Sequence, residues 1–171
     1  VHGWLLRNDF KERAYEWLDR QVLKRCRRVV VLSRFYHGML AAAGIPESRL
    51  RLIPTGYPPH RFPPEDATAA FPPGFVVGFM GRFSEEKCPE CAIHVMAELK
   101  KLVPDARMIM AGEGSLLGRI RRLARESGLE DDIEFPGYLS AADFFPRIHA
   151  LLCTSHIENL PVNIMDAMAW S

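Results

Sequence analysis

The chain has 171 residues, 48% of them apolar and 25% charged, with a formal net charge of +1. This is the balance of an ordinary soluble globular protein of one or two domains. No apolar run is long enough to cross a bilayer as a helix, and four irregularly spaced cysteines (Cys26, Cys88, Cys91, Cys153) make no disulfide framework, so a reducing compartment is expected.

The opening "VHGWLL" reads as the end of a strand entered in mid-fold, and the closing "DAMAWS" stops inside a helical pattern. With no initiating Met and no signal-peptide pattern, the sequence is expected to be part of a longer protein. A helix is predicted near 9–26. It ends in "RQVLKRCRR", which concentrates positive charge at Arg20, Lys24, Arg25, Arg27 and Arg28. Residues 1–60 carry +6 and residues 61–171 carry −5. The basic stretch reads either as a solvated helix face or as a surface for anionic lipid or a phosphorylated acceptor.

"RVVVLS" (28–33) reads as a strand, 34–43 as a helix and "RLIP" (51–54) as a strand. The rhythm then breaks. "YPPHRFPPEDATAAFPPG" (57–74) holds six of the thirteen prolines, so it suits neither a helix interior nor a central strand. It is read as a linker over 58–73, dividing an N-terminal α/β segment (1–57) from a second α/β domain (74–171). In the second domain, strands are predicted at "FVVGFM" (75–80), "RMIMA" (107–111), "IEF" (133–135) and "ALLCTS" (150–155). They alternate with helices near 89–103, 115–127, 141–148 and 161–170. Apolar runs without alternation suit parallel strands covered on both faces, and strand–helix alternation argues for a doubly wound sheet. In such sheets ligands sit beyond the carboxyl ends of the strands.

Four stretches could carry chemistry. In "GFMGRFSEEKCPE", Arg82 and Lys87 follow a strand that ends at Gly81, a suitable place for two cations that bind a diphosphate; otherwise they are surface charges paired with Glu85 and Glu86. In "MAGEGSLLGRI", Gly112, Gly114 and Gly118 look like a dinucleotide fingerprint. However, the motif follows the second strand of its domain, and no acid stands at the end of the next strand. A tight turn lining the cleft is preferred to a nicotinamide site. "CPEC" (Cys88 to Cys91), at a helix start, reads as a redox pair or as half a metal site; with no second Cys pair to complete the latter, two small, partly buried thiols are preferred to both. Finally, "LLCTSHIENLPVNIMDAMAW" places Glu158 in the loop after a strand and Asp166 five residues past Pro161, roughly 7.5 Å along the next helix. The backbone N–H groups of Val162 and Asn163 fall between the two acids, at the positive end of that helix. An anion flanked by hydroxyl-rich groups fits this order, as in a nucleotide-sugar.

"GRFSEEK", "AGEGS", "IEFPGYLS" and "SHIENLPVNIMDAMA", in this order, resemble the retaining GT-B glycosyltransferases of the group 1 type (family 4), and "VVVLS…GIPESRLRLIPTG" resembles the end of that family's first domain. The resemblance runs from His2 to Ala169. It implies two Rossmann-like domains, the second holding a nucleoside-diphosphate sugar donor and the first an acceptor. By the same resemblance Arg82 and Lys87 neutralise the diphosphate, Glu158 faces the donor sugar, Asp166 takes the second acid position, which binds the ribose, and Leu139 backbone contacts the base. Gly114 belongs to the donor-side turn, and His2 stands where the family often has a histidine beside the sugar. Three positions depart from the pattern: Asp166 replaces Glu, Asn159 stands where Gly is usual, and Thr55 replaces a common Asn. The implied reaction is sugar transfer to a hydroxyl with retention, without a metal or a cofactor, and with no nucleic-acid partner. The acceptor class (lipid, polysaccharide or small molecule) stays open, and the expected location is cytoplasmic with possible peripheral membrane contact. The other readings are a GT-B nucleotide-sugar epimerase and a non-catalytic nucleotide-binding module.

Overall fold

The computed structural model describes residues 10–58, 62–63, 72–156, 158 and 161–171. His2, Asn159 and most of the 58–73 segment lie outside the described residues. The chain divides into two compact units, Val1–Gly56 and Tyr57–Ser171.

The first unit contains α1 (Phe10–Arg25), β1 (Val29–Val31), α2 (Arg34–Ala42) and β2 (Leu50–Leu52). β1 and β2 pair in parallel, with Val29 opposite Leu50 and Val31 opposite Leu52. The Ser33 hydroxyl caps α2 by accepting from the Tyr36 N–H, the role for which a serine suits a helix start. Val29, Val31 and Leu50 pack with Leu23, Tyr36, Leu40 and Ile45. The continuous apolar run of β1 suggests cover on both faces, yet Val30 is 46% exposed, as are Leu52 and Ile53 in part. Among the described residues of this unit, one face of the pair meets a core cluster.

The second unit contains β3 (Val76–Met80), α3 (Pro89–Leu102), β4 (Arg107–Ala111), α4 (Leu117–Glu126), β5 (Ile133–Gly137), α5 (Ala141–Phe144), β6 (Ala150–Leu151) and α6 (Val162–Ala169). Its sheet runs β5-β4-β3-β6, and every pairing is parallel. Side chains of successive strand residues point to opposite faces. Accordingly Val77, Phe79, Met108 and Met110 join Ala92, Ile93 and Met96 of α3 and Ile120 and Ala124 of α4 in one core. Val76, Ile109 and Ala111 join Phe144, Phe145 and Ile148 on the other side. This two-sided cover explains why the strands read as unbroken apolar runs.

Pro89 opens α3, where a missing N–H costs nothing. The turn after β4 is set by glycines. Gly112 has φ +143°, and a Cβ there would lie 1.9 Å from the Gly81 carbonyl oxygen. Among the described residues no helix is long and apolar enough to cross a membrane.

Candidate functional site: a cleft at the carboxyl edge of the second sheet

The parallel sheet aims the ends of β3, β4 and β5 at one edge, and a cleft of about 480 Å³ opens there. Met80, Gly81 and Arg82 line it from β3, Ala111, Gly112 and Glu113 from β4, and Tyr138, Leu139 and Ala141 from beyond β5. Asp166, from α6, completes the lining. The α6 helix is fixed against this edge because the Asn163 side-chain amide donates to the Met80 carbonyl at 3.1 Å. In the first turn of α6 the Ile164 and Met165 N–H groups bond back to the Pro161 carbonyl. The N–H groups of Val162 and Asn163 therefore precede the first intrahelical donors, at the positive end of the helix dipole.

Two loops are laced together beside the cleft. The Thr154 hydroxyl contacts the carbonyls of both Lys87 and Cys88 at 2.9 Å, and the His156 N–H donates to the Glu86 carbonyl at 2.9 Å. This lacing brings the Lys87 ammonium onto Glu158 Oε1, which also accepts from the Ser155 hydroxyl at 2.8 Å. Both charged side chains are largely covered, at 28% and 20% exposure, and the Lys87 stem runs alongside Gly81 of the cleft. Arg82 extends into solvent, with Glu86 3.9 Å away. The Ser84 hydroxyl holds the Glu86 carboxyl below its usual range, against the effect of burial, and the residue's own backbone, Arg82 and Lys87 add to this. Glu86 is thus an anion at neutral pH and a competitor for the same cations.

Asp166 is the one buried charged side chain among the described residues, at 2% exposure. Its Oδ1 accepts from the Tyr57 phenol at 2.7 Å. Burying a carboxylate is costly unless donors compensate it, so this bond is part of what keeps Asp166 in place. Tyr57→Phe is expected to destabilise the full-length protein by about 1–3 kcal/mol, the cost of depriving a buried acceptor of one donor. A thermal or urea melt of the variant measures it, and an unchanged midpoint would contradict the assignment.

The structure thus brings Arg82, Leu139 and Asp166 to the cleft wall, Lys87 and Glu158 into a pair beside it, and Val162 and Asn163 to the start of α6, where Asn163 bonds to Met80 of the wall. Gly114 is placed differently. It does not line the cleft; a Cβ on it would lie 2.3 Å from the Phe83 carbonyl, so its role is close backbone packing under the Arg82–Lys87 loop. His2 lies outside the described residues. Sequence reasoning missed Tyr57 and Ser155, although both are polar residues within or beside the quoted motifs. It also expected free thiols at Cys88 and Cys91, whereas the two are joined as a disulfide. Pro89 and the tight turn bring their Cα atoms to 5.5 Å, within bonding range.

Comparison with known proteins places the chain in a family. The family model described as "Glycosyl transferases group 1" matches residues 65–171, and "Glycosyltransferase Family 4" matches residues 1–61. A putative colanic acid biosynthesis glycosyltransferase, WcaL, of Escherichia coli is 27% identical over 87% of this chain and 39% of its own length. A GDP-mannose-dependent α-(1-6)-phosphatidylinositol monomannoside mannosyltransferase of Mycolicibacterium smegmatis is 28% identical over 72% of this chain and 34% of its own. Among solved structures, S. aureus TarM, in a complex that includes UDP, superposes with a TM-score of 0.80 at 18% identity, over 96% of this chain and 33% of that one. Anabaena HepE, with UDP and glucose, gives 0.79 at 19%, over 92% and 46%. The chain spans less than half the length of these relatives. The two parallel α/β units have the GT-B glycosyltransferase fold, and by the match over residues 65–171 the chain belongs to the glycosyl transferases group 1 family.

Proposed function

We propose that the protein containing this chain transfers a sugar from a nucleoside-diphosphate sugar to an acceptor hydroxyl, with retention of anomeric configuration and without a metal ion or other cofactor. The observation that carries the reading is the convergence of Lys87, Arg82, Glu158 and the N-terminal end of α6 on the sheet edge where Asp166 lines a cleft. The UDP bound by TarM and HepE, and the GDP-mannose dependence of the mycobacterial relative, support a nucleoside diphosphate as the donor's head.

In this reading the diphosphate takes the Lys87 ammonium, the Arg82 guanidinium and the Val162 and Asn163 amides. As the sugar leaves, negative charge grows on the departing phosphate, and donors already fixed in place stabilise it without reorganising. Glu158, released from full engagement with Lys87, accepts from a hydroxyl of the donor sugar. Asp166 takes a ribose hydroxyl, and backbone at Leu139 meets the base. We assign acceptor binding to the first domain. The working location is the cytoplasm, with peripheral membrane contact through the basic 20–28 stretch.

The test supplies full-length protein with UDP- and GDP-sugars and candidate lipid, polysaccharide and small-molecule acceptors. Expected are transfer that survives EDTA and a product whose anomeric proton coupling matches the donor's. Inversion, or loss of transfer with EDTA that returns on adding a divalent ion, would overturn the corresponding part. A new sugar isomer formed from donor alone would instead identify an epimerase. Nucleotide binding without donor turnover would identify a binding module.

A further inference from the structure

The Cys88–Cys91 bond lies one residue from the cation on which the proposed donor site depends. We propose that this pair is a reversible dithiol–disulfide site whose oxidation state sets the position of Lys87, and through it the affinity for a nucleoside diphosphate. The proposal rests on the donor-site reading above.

Cys88 has φ +44°, the one left-handed non-glycine residue among those described. A side chain with a Cβ disfavours that backbone, so something must hold it there. Cys88 is the N-cap of α3 but makes no side-chain capping hydrogen bond. Instead its sulfur is tied to Cys91, in the first turn of the helix. When the bond is cut, Cys88 has a steric reason to return to negative φ. That rotation moves the carbonyls of Lys87 and Cys88, the two groups the Thr154 hydroxyl contacts. Thr154 precedes Ser155, which bonds to Glu158, so the lacing that seats Lys87 on Glu158 loosens at its root. Closing so short a loop gains little chain entropy, so stabilising the fold is a weak reason for the pair. Bonded Cys pairs in reducing compartments are most often redox elements.

The chemistry is thiol–disulfide exchange with a low-molecular-weight disulfide such as oxidised glutathione. The partly exposed Cys91 thiolate attacks it, forming a mixed disulfide and expelling one glutathione thiolate. The Cys88 thiolate then displaces the second glutathione. The two protons and two electrons of the dithiol end on two molecules of reduced glutathione, and dithiothreitol reverses the step.

The experiment equilibrates full-length protein in glutathione buffers from fully reduced to fully oxidised. Free thiols are alkylated, and the peptide holding both cysteines is weighed. Calorimetric titration with UDP and with GDP follows on each form. We expect a reversible disulfide and binding about three- to tenfold weaker when reduced, the scale of one net hydrogen bond. Cys91→Ser should match the reduced wild type and ignore the redox buffer. Persistence of both thiols under oxidising buffer, or oxidised-level affinity in Cys91→Ser, overturns the proposal. Equal affinities in both states overturn the coupling alone, whereas no binding of either nucleotide in either state overturns the donor-site reading and the coupling with it.

Discussion

Lys87→Ala in the full-length protein is expected to lower the turnover number for sugar transfer by about 10²–10³-fold, the loss seen when one fixed donor to a developing anion is removed. The ammonium is preorganised: its partner Glu158 and the turn that carries it are both tied to the 154–158 loop, and its stem runs beside the cleft. Since the donor in the transition state carries more phosphate charge than in the ground state, the effect should fall on the turnover number more than on the Michaelis constant. The fold should survive. Thr154 contacts the Lys87 backbone carbonyl, which alanine keeps, and Glu158 keeps its Ser155 hydrogen bond. Steady-state kinetics on a variant with a wild-type melting curve decides the matter, and near-normal turnover would remove Lys87 from the mechanism. Lys87→Arg should restore only part of the rate, because a forked guanidinium does not reproduce a compact ammonium seated on Glu158.

Gly112→Ala is expected to destabilise the protein by about 3–5 kcal/mol, at the severe end for a single substitution. Two costs add. The backbone at φ +143° is open to glycine and strained for any other residue, and the new Cβ would meet backbone, the Gly81 carbonyl oxygen, rather than a side chain that can swing away. The strand ends cannot simply part, because the Gly112 N–H donates to the Gly137 carbonyl at 2.7 Å and the Gly81 N–H to the Ala111 carbonyl at 3.0 Å. Gly118→Ala is the control. It lies in α4 with open space around its Cβ position, and alanine should leave stability unchanged or raise it by up to about 1 kcal/mol. Urea midpoints of the two variants measure the contrast; similar midpoints would mean that the turn after β4 is not held as described.

These two positions also show how unevenly the site could be read from the sequence. Lys87 was legible as a candidate, being a cation just past a parallel strand, but its pairing with Glu158 was not. The glycine motif was legible as a turn, and Gly114 packs within it on Phe83 backbone. Asp166 was legible as a candidate but not as a buried acid bonded to Tyr57, 109 residues earlier in the chain.

By itself the sequence determined the order and kind of the elements. Apolar runs, helical spacing, Ser33 and Pro89 are local signals, and local signals suffice where the backbone hydrogen bonds of an element close within it or along it. In the second unit the parallel pairing followed too, because a strand covered on both faces has no polar side to display. Tertiary structure alone decided which side chains meet. The Lys87–Glu158 pair spans 71 residues, Thr154 reaches back to the Lys87 and Cys88 carbonyls, and two cysteines read as thiols are bonded. Such contacts depend on which loops the sheet order β5-β4-β3-β6 sets side by side, since β3 and β6 are neighbours in space though far apart in sequence. No periodicity encodes that adjacency; it arises when the packed core fixes the strand order and leaves the loops at its carboxyl edge no other place to go.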